Sequence, residues 1–234
     1  MRRVFSFAGG LVMAIASVAT AAPALVQPPE AASNDSFIYS FVNNAPFGST
    51  TYLGVSDATF QSAEHDVRSQ VSFDLTGLSL SSGETARIGF WSRTNAATPF
   101  GGFTTNPTVA VPVPVSVYQI TSGWNENSAT WSNPPAVGAS SIATMSVDGI
   151  GQYYSFDATS LVAGWLSNPS TNFGVQLRLD APVQNAGIDV AAVFDSAGGS
   201  SGGPYLQIFA AVPEPTTLGV LAGAGLLCVR RRRA

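Results

Sequence analysis

The sequence predicts an all-β fold, a jelly-roll-like antiparallel β-sandwich with one short helix. Three observations predict it. Short runs rich in β-branched and aromatic residues alternate with turns made of Gly, Asn, Pro and Ser. Helical periodicity is scarce. In Val71-Ser72-Phe73-Asp74-Leu75 the apolar residues alternate with Ser and Asp, so the odd positions are expected in the core and the even ones in water. About ten short strands with Gly-rich turns fit two packed antiparallel sheets.

The expected strands are 36–42, 51–55, 67–75, 86–91, 113–120, 142–147, 153–157, 173–179, 188–194 and 205–209. One stretch departs from the strand pattern. Leu161, Val162, Trp165 and Leu166 are spaced to share one helix face, with Asp157 or Thr159 as the cap, which predicts a short helix across one end of the sandwich. Residues 93–112 read as a long loop rich in Thr, Asn, Gly and Pro, and 197–204 as a Gly/Ser loop.

Both ends of the chain read as removable signals. Arg2 and Arg3, an apolar run from Val4 to Val18 and the small-x-small triplet Ala19-Thr20-Ala21 form a secretory signal peptide, residues 1–21. Residues 22–33, with three prolines, read as a linker, and 34–211 as the folded domain. Residues 212–234 read Val-Pro213-Glu214-Pro215, then an apolar run from Leu218 to Val229, then Arg230, Arg231, Arg232, Arg233 and Ala234. A helix over that run reaches about 18 Å at 1.5 Å per residue. The hydrocarbon core is about 30 Å thick, so a comfortable permanent span is not expected. The arginines are expected to stay cytoplasmic, leaving the domain outside, with the helix touching the inner membrane only transiently.

Removing the signals changes the charge. The chain has ten basic residues, no lysine, and fourteen acids. Only Arg68, Arg87, Arg93 and Arg178 lie outside the two signals, so the processed domain carries about −9 to −10. That excludes nucleic acid and disfavours anionic lipid, which both need basic neutralisation. Polyanionic glycans are disfavoured too, unless a divalent cation bridges them. The single cysteine, Cys228, lies in the tail, so the domain offers no disulfide and no thiol chemistry.

The tail resembles the PEP-CTERM sorting signal of Gram-negative bacteria, in the order Pro213-Glu214-Pro215, short apolar helix, terminal arginines. The resemblance implies export, an exosortase-type transpeptidase as partner, removal of the tail, and delivery to the cell surface or exopolysaccharide matrix. The domain resembles the DNRLRE domain, related to carbohydrate-binding module family 96. The resemblance rests on Asp35-Ser-Phe-Ile38 with Phe47-Gly48, on Arg68 to Leu75, and on Trp124-Asn-Glu126 leading to Thr130-Trp131-Ser-Asn-Pro-Pro135. It continues through Phe156-Asp157, Leu161-Val162-x-x-Trp165, Asn172-Phe-Gly174 and Phe194-Asp195-Ser196. It implies a β-sandwich of extracellular matrices and polysaccharide-handling systems. Some relatives are similar to modules that grip acidic algal polysaccharide with basic side chains. With four arginines and no lysine, this domain is expected to take neutral or cation-bridged polysaccharide instead.

Catalytic chemistry is poorly supported by the residues. His65 is the only histidine, beside Glu64 and Asp66, and is expected to be an exposed turn residue. Gly198-Gly-Ser200-Ser-Gly202 matches a nucleophile elbow in letters only, since a strand rather than a helix follows. Paired carboxylates of a glycosidase lie roughly 5 to 9.5 Å apart, and no such pair is legible in the sequence. Asp35, Asp57, Asp148 and Asp180, near expected turns, are the candidate oxygen ligands for a structural calcium. Trp124, Trp131 and Trp165 lie in the family framework and are expected to anchor the core. Phe90 and Trp91 must face opposite sides of one strand, which makes Trp91, with Arg93, Phe100 and Phe103, the expected glycan-contacting rim. The expected role is a non-catalytic surface or matrix protein, glycan-binding or adhesive. The alternatives are a purely structural matrix component or a polysaccharide-degrading enzyme.

Overall fold

The computed structural model describes residues 24–26, 34–57, 59–60, 63–94, 105–185, 188–199 and 202–210. They form two packed sheets whose named strands all pair antiparallel. The five-stranded sheet runs β2 (Asn34–Tyr39), β6 (Val67–Ser72), β11 (Val175–Arg178), β8 (Val113–Gln119), β9 (Ala143–Val147). The four-stranded sheet runs β1 (Ala24–Val26), β15 (Tyr205–Phe209), β7 (Thr85–Trp91), β10 (Tyr153–Asp157). A further pair, β3 (Tyr52–Val55) with β14 (Ala192–Asp195), continues the smaller sheet through a bridge from Ser92 to Phe194. Two short ribbons complete the strands, β4 (Thr59–Phe60) with β5 (Ala63–Glu64) and β12 (Gln184–Asn185) with β13 (Ile188–Asp189).

Alternation explains which side chains fill the core. Val71 and Phe73 are buried while Asp74 is exposed, as the period-two pattern requires. Val113, Val115 and Val117 of β8 meet Ile88 and Phe90 of β7, Phe156 of β10 and Leu206 of β15 in one cluster. The segment expected to be a linker contributes β1, because Leu25 falls opposite Gln207 and covers what would otherwise be the free edge of β15. The expected strand 67–75 ends at Ser72, and 188–194 divides into β13 and β14.

The helix expected near Leu161 is present as α1, Thr159–Ser167, with Val162 and Trp165 buried and Leu161 and Leu166 partly buried. The N-cap position falls on Ala158 and not on the expected Asp157 or Thr159, and it carries no side-chain cap; Asp157, one residue earlier, accepts at Oδ1 from the Thr159 backbone N–H at 2.8 Å. Hydrogen bonding from the Thr159 side chain, and then from its backbone N–H, holds the Asp157 carboxyl below its ordinary range. Thr159 Oγ1 accepts from the Ala86 N–H at 3.0 Å, so α1 is fixed across the start of β7.

His65 is a correction to the expected exposed turn. It is buried, its Nδ1 lies 2.5 Å from Tyr39 Oη, and its ring stacks on Phe41 at 4.7 Å. Phe41 is 62% exposed and shields the imidazole from water.

Gly174 shows why one framework glycine is needed. Its φ is +88°, and a Cβ there would stand 2.0 Å from the Val71 carbonyl oxygen, a backbone atom that cannot rotate away. Gly174→Ala is expected to destabilise the protein by more than about 1 kcal/mol, read as a lower Tm; an unchanged Tm contradicts this account of the β11 entry. The Asp157 carboxylate at the start of α1 gives an acid dependence. A carboxyl whose folded pKa is depressed contributes stability above the unfolded value of about 3.9 and loses it as pH falls through the folded value. The Tm is therefore expected to drop below about pH 4, and Asp157→Asn to drop less steeply over that window in acid melts.

Candidate functional site

The two outer faces of the sandwich differ. On the five-stranded sheet, Ser36, Ile38, Gln70 and Gln176 point away from the core and are nevertheless buried. Their cover is the segment 121–141 that follows β8. Glu126 N–H donates to Asn34 Oδ1 at 2.9 Å, Asn34 Nδ2 donates to the Trp124 carbonyl at 3.4 Å, and Ser132 N–H donates to the Asn43 carbonyl at 3.0 Å. Trp124 Nε1 donates to the Phe173 carbonyl at 2.8 Å. The Arg68 guanidinium lies 4.4 Å from the centre of the Trp131 ring, and Arg178 3.6 Å from that of Tyr118. Burial and the neighbouring Arg178 pull Arg68 below its ordinary pKa, against the opposing pull of Asp66, Asp57 and Asp180. Trp124 and Trp131 therefore brace the sheet cover, while Trp165 alone of the three sits in the core.

The outer face of the four-stranded sheet carries rings instead. Trp91 pairs across the ladder with Tyr153, and Tyr205 with Gly89, so Trp91, Tyr153 and Tyr205 share one face with Arg87, Ser155 and Gln207. Tyr153 is 38% exposed. Its ring stands edge-on between the other two, 5.0 Å from Trp91 at 74° and 5.0 Å from Tyr205 at 79°. Two glycines make room for the tyrosines. A Cβ on Gly89 would be 2.4 Å from Tyr205 Cε1, and one on Gly202 would be 2.2 Å from the Tyr153 hydroxyl. The rings are thus held in place by the sheet. Arg87 lies beside them, exposed, donating from Nε to Ser155 Oγ at 3.2 Å.

Of the expected rim, Trp91 lies on this face. Arg93 is turned away from it and engaged elsewhere, since its Nη1 donates to Asp195 Oδ1 and to the Thr51 carbonyl, each at 3.0 Å. Phe100 and Phe103 lie outside the described residues, as do Pro213, Glu214, Pro215 and Arg230 to Arg233. Tyr153 and Tyr205 were not singled out from the sequence. Their outward positions in Tyr153-x-Ser155 and Tyr205-x-Gln207 carried the signal, but only the pairing of β10 and β15 with β7 brings them to Trp91.

The four aspartates expected to hold calcium have separate engagements. Asp35 Oδ2 accepts from the Ala197 N–H at 2.7 Å, and Asp148 Oδ1 from Tyr154 Oη at 2.7 Å. Asp180 Oδ1 accepts from Tyr118 Oη at 2.9 Å and from Arg178 Nε at 3.2 Å. Asp57, after β3, adds to the field on Arg68. Among the described residues no three acidic, His or Cys side chains converge on a point that would hold a metal ion.

The family model for carbohydrate-binding module family 96 matches residues 28–210, and the chain belongs to that family. The PEP-CTERM protein-sorting motif matches residues 211–233 and marks an exported protein sorted to the surface by exosortase-type machinery. No curated protein matches the chain.

Proposed function

We propose that this protein is a non-catalytic glycan-binding or adhesive component of the cell surface or exopolysaccharide matrix. It binds neutral or cation-bridged polysaccharide on the outer face of the four-stranded sheet. The observation that carries the reading is the ring set Trp91, Tyr153 and Tyr205, held on a sheet face that they share with Arg87, Ser155 and Gln207. A pyranose presents an apolar C–H face and a hydroxyl edge. The rings match the first, and Ser155, Gln207 and Arg87 match the second.

Charge supports a neutral ligand. Arg68, Arg93 and Arg178 pair with Asp66, Asp195 and Asp180. That leaves Arg87 as the described cation beside the rings, too little to grip a polyanion against a strongly acidic domain.

The test is a polysaccharide array probed with the purified protein, with calcium and with a chelator. At least one neutral polysaccharide is expected to bind in both conditions, or an acidic one with calcium only. Trp91→Ala and Tyr153→Ala are each expected to weaken that binding about tenfold, as loss of an aromatic contact worth about 1.4 kcal/mol does, with the Tm little changed. Binding to nothing favours a purely structural matrix role, and release of reducing ends overturns the non-catalytic reading.

A further inference from the structure

β10 is the edge strand of the four-stranded sheet, and its outward residues run in one line, Tyr153, Ser155 and Asp157. On β7 they stand opposite Trp91, Gly89 and Arg87. The line therefore starts at the rings, passes Tyr205 beside Gly89, and reaches Arg87 and Asp157. From Tyr153 to Asp157 it covers roughly 13 Å at about 3.3 Å per residue, which is longer than one hexose ring.

The line does not stop where the strand ends. Asp157 also lines a cleft of about 450 Å³. The other lining residues are Thr159, Ser160 and Leu161 at the start of α1, Gln119 of β8, and Ile142, which leads into β9. The cleft repeats the chemistry of the face. Leu161 and Ile142 are apolar, and Ile142 is 44% exposed. The Ser160 hydroxyl and the Gln119 side-chain amide have no hydrogen-bond partner in the protein.

An aspartate is ionised at neutral pH. Where face and cleft join, Arg87 therefore offers donors and Asp157 offers acceptors, both on exposed side chains. A sugar hydroxyl donates and accepts, so it suits the pair. An acidic sugar meets one charge of each sign there and gains no net attraction.

We propose that the ring face and this cleft form one track, and that its ligand is an extended stretch of neutral polysaccharide several sugar units long, laid along β10 from Trp91 to Ser160. The inference rests on the ring-face reading above and adds the length and course of the bound chain.

The test is isothermal titration of the protein with cellotriose and cellohexaose, and with the trioses and hexaoses of the xylo-, manno- and malto-oligosaccharide series. In at least one series the hexaose is expected to bind at least tenfold tighter than the triose. Ile142→Ala and Ser160→Ala, both at exposed side chains, are each expected to narrow that ratio several-fold by weakening the hexaose. Trp91→Ala is expected to weaken triose and hexaose alike. A triose bound as tightly as its hexaose, or a ratio that neither cleft variant moves, overturns the track. The ring face then stands as a short site that Trp91→Ala still weakens. No binding in any series, or binding that Trp91→Ala leaves intact, overturns the ring-face reading itself and the track with it.

Discussion

The segment 121–141, folded back over the five-stranded sheet, decides what the rest of this molecule can do. A sandwich has two outer faces, and an uncovered one is a surface for ligands. Here the cover is pinned along its first half. Asn34 and Glu126 hold it to β2, and Trp131 lies over Arg68 of β6. Gly48 is part of the same arrangement, since a Cβ there would come within 2.7 Å of the Glu126 carbonyl oxygen. With that face covered, the four-stranded sheet and the ends of the sandwich are the surfaces left open. Those are the places where the rings and the cleft are found.

The two halves of the framework use their tryptophans differently. Trp124 and Trp131 stay partly in contact with solvent while bracing the cover. Trp165 is fully inside and carries α1 against the core.

Much of the architecture was legible in the sequence because strand alternation is local. Val71 to Leu75 announces its buried face, and Leu161 to Leu166 announces the helix face, without reference to any other part of the chain. The site was legible only by halves. Phe90 and Trp91 must face opposite ways, which is enough to put Trp91 outside. Nothing in the sequence says that Tyr153, about sixty residues later, stands beside it; that depends on the β7–β10 register. Arg93 looked equally available from the sequence, and its pairing with Asp195 comes from the crossing of β7 onto β14. His65 lies buried for a similar reason. Its neighbours Glu64 and Asp66 are polar, but a long-range partner, Tyr39, takes its ring nitrogen. β1 is not legible in the sequence, since a three-residue strand gives too short a pattern to separate from a linker.

The central claim is that the ring face of the four-stranded sheet, and not the covered face of the five-stranded one, carries the glycan. A crystal structure of the protein with an oligosaccharide from its best-bound polysaccharide tests this most directly. The account predicts a sugar ring against Trp91, Tyr153 or Tyr205, with the 121–141 segment still in place over Arg68 and Gln70. A sugar bound on the five-stranded sheet, with that segment displaced and the three rings bare, would contradict it.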